Sequence, residues 1–172
     1  MRKHFTKKRI ALLAALAVGA TMAVAGYAYF TSTGSGSGSA TVGTSTAWAV
    51  TTDAATGGPM TPGGGAGTYE TVAYHVKNNS TGQQSLANVN VKVANSDGSA
   101  WTSGSCSKDD FELSADGSTW AAAGAAVNDT EAAGNIASGV TNNGSFQIRM
   151  KDTGLNQDDC KNATVPLYLS AT

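Results

Sequence analysis

From Val42 onward, apolar side chains recur at every second position over short stretches, the spacing of strands that bury one face. Val42, Thr44, Thr46, Trp48 and Val50 share one face of a first strand. Val72, Tyr74 and Val76 alternate with polar residues in a second, which Asn78-Asn79-Ser80-Thr81-Gly82 closes as a turn. Val89, Val91 and Val93 mark a third, ended by Asn95-Ser96-Asp97-Gly98. Phe111 and Leu113 give a short strand before the Asp116-Gly117 turn. Phe146, Ile148 and Met150 form another, and Val165, Leu167 and Leu169 the last. Pro166 has no N–H for a ladder, so this last strand is expected at a sheet edge or with a bulge.

Between these runs, Thr56 to Thr68 holds Pro59, Pro62 and many glycines, which predicts a long mobile loop. Trp120 to Ala133 is Ala-rich but broken by Gly124 and Asn128-Asp129, and reads as a loop with at most one helical turn. About seven short strands with polar outer faces and Gly, Asn and Asp turns point to an all-β fold. The architecture expected is an antiparallel β-sandwich, Ig-like or jelly-roll, over residues 41–172.

The first thirty residues follow a different pattern. Arg2, Lys3, Lys7, Lys8 and Arg9 precede an uncharged run from Ile10 to Ala25. Ala23-Val24-Ala25 or Gly26-Tyr27-Ala28 then offers the small residues that a signal peptidase reads. Residues 1–28 are therefore expected to be a signal or anchor helix. It is either cleaved or, since Ile10 to Phe30 is long enough to span a bilayer, retained as a single membrane anchor. The segment has no Cys for lipid attachment, and no hydrophobic tail follows the last strand. Residues 29–40 continue into Gly-Ser repeats, a polar linker or arm.

Charge adds an exclusion. The chain has a net charge of −1, but beyond the first nine residues six Lys or Arg face all twelve Asp and Glu, a net of −6. An acidic body repels phosphate backbones and anionic lipid surfaces, so no nucleic acid is expected as a partner, and membrane contact only through the N-terminal segment. Cys106 and Cys160 both lie in the exported part. In an oxidising compartment they read as one disulfide closing a loop of about 54 residues, with free thiols or an intermolecular bridge as the alternative.

Ala28-Tyr29-Phe30-Thr31, followed by Gly-Ser repeats and a strand, resembles the exported TasA/camelysin-like proteins of Gram-positive bacteria. Val76-Lys77-Asn78-Asn79 and Asn156-Gln157-Asp158-Asp159-Cys160 are similar to segments of small exported proteins of high-GC Gram-positive bacteria. The resemblance implies a β-sandwich, export through a dedicated signal peptidase, and assembly into matrix fibres. One subunit's N-terminal strand, here Tyr29 to Thr46, would complete the sheet of the next. Camelysin-like proteins have been described as metalloproteases, and in that respect this sequence departs from them. His75 is the only His beyond the export segment, so neither a zinc-protease ligand set nor a second His is available.

Catalysis is not expected. His75 sits in mid-strand with its side chain on the polar face, where it reads as a solvated strand histidine rather than the base of a triad. Gly63-Gly64-Gly65 lacks the Lys and helix of a phosphate loop. No cofactor is implied, with one exception. Asp109, Asp110 and Glu112 follow Cys106, and Asp158 and Asp159 precede Cys160. A disulfide would bring these five acids together as a calcium patch or a solvated acidic face. Trp101 and Trp120 stand in turn-like contexts and, with Tyr69, offer a platform for stacking sugars, whereas Trp48 is expected in the core. The Asn-x-Ser/Thr sequons at Asn78, Asn79, Asn128, Asn143 and Asn162 are no more than this composition produces by chance.

Two functions fit this reading. One is a cell-surface or matrix structural protein that polymerises with itself by strand addition. The other is a secreted or tethered module that binds a glycan or a surface protein through its loops.

Overall fold

The computed structural model describes residues 44–63 and 68–172. The expected signal or anchor helix and most of the Gly-Ser arm with its donor strand lie outside the described residues. Among those described, no helix is long and apolar enough to cross a membrane.

The fold is all-β, built from several antiparallel sheets. Among the described residues, twelve strands follow in order: β1 Ala49–Thr52, β2 Thr56–Gly57, β3 Tyr69–Lys77, β4 Gln84–Leu86, β5 Val89–Val93 and β6 Thr102–Ser103. Then come β7 Cys106–Ser107, β8 Phe111–Ser114, β9 Val127–Asp129, β10 Gly134–Ile136, β11 Thr141–Met150 and β12 Leu167–Ala171. Two single 3₁₀ turns, Lys108–Asp110 and Asp158–Cys160, carry the segments next to the cysteines.

The longest ladder joins β3 to β11, from Thr141 opposite Lys77 to Arg149 opposite Tyr69. β1 and β2 pair with the far side of β3, and β8 with the end of β11, making a five-stranded sheet. β12, β5 and β9 make a second sheet of three strands. β4–β10 and β6–β7 are two-stranded.

Period-two burial explains why these segments pair as they do. Val72, Tyr74 and Val76 of β3 are buried, as are Phe146, Ile148 and Met150 of β11 and Val89, Val91 and Val93 of β5. With Leu86, Leu113 and Ile136 they form one apolar core, to which both larger sheets contribute. Each fully buried aliphatic or aromatic side chain there is worth roughly 1.5–3 kcal/mol. The outer faces are polar, and on the three-stranded sheet the Lys92 ammonium lies 5.0 Å from the Tyr168 ring centroid.

Asn78 ends β3 as the sequence predicts and organises the turn. Its Nδ2 donates to the carbonyls of Gly82 (2.8 Å) and Ile136 (2.7 Å), and its Oδ1 accepts from Ser80 N. Buried polar groups that satisfy backbone atoms in this way replace ladder bonds the turn cannot make.

Several expectations need correcting. The first strand is shorter than the alternation from Val42 suggests and begins at Ala49. Thr44 is tied to Thr81, while Ser45 and Thr46 accept from the Gln84 amide, so side-chain bonds replace a ladder there. Trp48 is half-buried against the core. The segment read as a loop from Thr56 opens with a two-residue strand, β2. Trp120 to Ala133 contains a turn closed by Ala125 N to Ala122 O (2.9 Å), but Val127–Asp129 is a strand on β5. β12 begins directly after Pro166 and is an edge of its sheet, as expected.

Candidate functional site

Cys106 and Cys160 are joined in a disulfide with a Cα–Cα distance of 5.0 Å. The bond is of the kind that persists in oxidising compartments. Beside it stands Asp110, only 9% exposed. A carboxylate oxygen of Asp110 and the two sulfurs all lie within 4.8 Å of one another. Asp110 Oδ2 accepts from Ser107 N (2.8 Å) in a capping box, and Oδ1 accepts from Gln157 Nε2 (2.7 Å). Both cysteines are oxidised, so they offer no thiolate to a metal.

The five acids expected around the disulfide each hold partners of their own. Asp109 pairs with the Lys108 ammonium at 2.6 Å, and Asp158 lies 3.6 Å from Lys161. Asp159 Oδ2 accepts from Ser105 N and Oγ, both at 2.7 Å, and those bonds hold its carboxyl below the usual range. Glu112 faces the outer side of the five-stranded sheet and accepts from Arg149 Nε (2.9 Å) and Nη2 (2.7 Å). Each carboxylate has a different partner because 3₁₀ turns and strands point neighbouring side chains in different directions.

The aromatic platform is also divided. Trp101 is 9% exposed and packs on Phe111 with ring centroids 6.2 Å apart, so it belongs to the core and not to a surface. Trp120 is half-buried on the outer face. Its ring lies 4.0 Å from the Arg149 guanidinium carbon, and Tyr69 stands 6.3 Å away, tilted. Arg149 thus occupies one face of the indole while holding Glu112, an arrangement that satisfies itself. His75 lies on the outer face of β3 as predicted, but it has partners there. Nδ1 is 2.7 Å from Asn143 Oδ1, and Nε2 is 3.2 Å from Asp53 Oδ2. Those two acceptors, Asn143 first, raise its pKa above 6.5.

Three features were not anticipated by the sequence. A polar cleft of about 450 Å³ opens where β8 leaves β11, lined by Asp116, Asp129, Glu131, Ser145 and Gln147 among others. Glu131 Oε2 accepts from Ser145 N (2.7 Å), which closes part of the free edge of β11. Behind the cleft, Asp129 is 2% exposed. Its carboxylate and the Tyr74 hydroxyl lie near enough to influence each other's protonation, although neither Oδ2 nor Oη makes a hydrogen bond of good geometry. Burial, first of all, pushes both groups up in pKa.

The second feature is a groove of about 260 Å³ between the sheets, lined by Met60, Val72, Ile148, Ala163, Val165 and Leu167 among others. β12 runs from this groove and, among the described residues, pairs only with β5. All five of its residues are half-buried. By contrast, the outer edge of β8 is covered, since Ala121 N and Gly124 N donate to the carbonyls of Leu113 and Phe111, both at 2.9 Å. The third is a cleft of about 480 Å³ lined by Cys160, with Pro59, Met60, Met150 and Leu155.

The chain matches no known family model, no curated protein and no solved structure.

Proposed function

We propose that this chain is an exported β-sandwich subunit of the bacterial cell surface or extracellular matrix, joined to its neighbours by strand addition. One observation carries the reading: among the described residues β12 has a partner on one side only and stands beside an apolar groove, whereas the β8 edge is covered. An open edge offers backbone donors and acceptors to an extended segment, and the groove takes alternate side chains. The occupant is residues 29–43 of a second copy, whose small residues Gly, Ser, Thr, Ala and Val suit a narrow groove. The Cys106–Cys160 bond is consistent with an oxidising, extracellular setting. The role is structural and non-catalytic, and His75 is already held by Asn143 and Asp53.

The test compares protein starting at Tyr29 with protein starting at Thr44, by negative-stain electron microscopy and sedimentation at high concentration. Filaments that form only with the arm support the reading. Monodisperse particles in both preparations sink it.

A second reading is a binding module that recognises a glycan or a surface protein. The polar cleft formed by the loops around Asp116 and Asp129 favours it. Retention of a monomeric glycan by both preparations on arrays would select it over the first.

A further inference from the structure

The two sulfurs of the disulfide are not equivalent. Cys106 is 1% exposed and belongs to the core, whereas Cys160 is half-buried and forms part of the wall of the 480 Å³ cleft. An incoming thiolate must approach in line with the S–S bond, and of the two cysteines Cys160 is the one that lines the cleft. The Asp110 carboxylate is fixed beside both sulfurs by Ser107 and Gln157, and Gln157 Nε2 also donates to Lys151 O at 3.0 Å. The cleft itself carries Asp152 and Asp158 against Lys161.

We propose that Cys160 is the site of S-thiolation by small external thiols, and that Asp110 slows the reaction electrostatically. The thiolate sulfur forms a bond to Cys160 Sγ while the Cys106–Cys160 bond breaks. The electron pair of the broken bond stays on Cys106 Sγ, which leaves as a thiolate and later takes a proton from water. Exchange rates depend on access, on which sulfur is attacked and on how well the departing thiolate is stabilised. Here that thiolate appears in the core, next to a carboxylate, where burial and like charge both disfavour it. The same carboxylate repels an anionic nucleophile as it nears Cys160.

The experiment treats the purified chain with mercaptosuccinate or with cysteamine, quenches by alkylation, and maps the products by mass spectrometry. The expected intermediate has the external thiol on Cys160 and the alkyl group on Cys106. The reverse placement, or an even mixture, overturns the site. Asp110→Asn is expected to speed attack by mercaptosuccinate about tenfold, the equivalent of one pKa unit, and attack by cationic cysteamine less. Equal acceleration of both thiols would mean that the substitution merely loosens the turn, and would overturn the electrostatic role. Asp158→Asn, in the same cleft but with its carboxylate 3.6 Å from the Lys161 ammonium, is expected to change the rates less than Asp110→Asn does. An equal effect would remove Asp110 from its assigned part.

Discussion

The Tyr74 ring lies over Gly144, its direct partner across the β3–β11 ladder. A Cβ at position 144 would overlap Tyr74 Oη and Cζ. The ring is wholly buried. A glycine in mid-strand is ordinarily a weakness, but here it makes room for an aromatic side chain that fills the core.

Gly144→Ala is therefore expected to destabilise the protein by about 1–3 kcal/mol through overpacking, measured by chemical denaturation. Tyr74→Phe removes the hydroxyl from the overlap. Combining the two should give a loss smaller than the sum of the single losses, and strict additivity would refute the contact.

Asp129 and Tyr74 set opposite ends of a pH profile. Burial raises Asp129 above its ordinary 3.8, so the native state holds a proton there that the unfolded chain has lost. Stability therefore falls as pH rises from 3.8 through the native pKa. Burial likewise raises Tyr74 above its ordinary 10.0, so stability falls again above pH 10. Asp129→Asn should flatten the acid side of the profile and Tyr74→Phe the alkaline side. Unfolding midpoints across pH 3–11 check both.

His75 works with the same sign, between those two ranges. Its partners raise its pKa in the native state, so the stability it contributes is complete below 6.5 and is lost as pH rises through the native value. Asn143→Ala should bring the His75 titration, followed by NMR, down toward 6.5. Asp53→Asn should lower it as well. An unchanged titration in both variants would contradict the contacts.

Replacing Cys106 and Cys160 by serine releases a 54-residue closed loop. The expected loss is about 4 kcal/mol by chain entropy. Loss of buried Cys106 packing adds to it. Thermal or urea unfolding of the oxidised and substituted proteins measures the difference.

How much of this was legible in the sequence depends on the length of the element. β3, β5, β11 and β12 carry three or more alternating apolar residues, enough for the pattern to stand out. β2, β4, β6, β7, β9 and β10 have two or three residues each and show no period. They exist because longer strands offer them an edge, which is tertiary information. Parity and compartment gave the disulfide. The surroundings of the disulfide were hidden, because the partner of each acid comes from elsewhere in the chain, as Arg149 does for Glu112 and Ser105 for Asp159. Trp101 misled for a related reason. Small polar residues flank it, yet Phe111 covers it. Tyr74, Gly144 and Asp129 meet only after two sheets come together.

The disulfide also has a mechanical meaning. A chain pulled between its two ends carries force along its covalent path, and the Cys106–Cys160 bond short-circuits that path. The whole stretch from β8 to β11 then hangs outside the line of tension. Unfolding under load yields roughly 180 Å less extension than the bare sequence would allow, taking about 3.4 Å for each of the 54 bypassed residues. Single-molecule stretching before and after reduction reads that length directly. In a filament under shear, each oxidised subunit would behave as a short tether with a locked reserve.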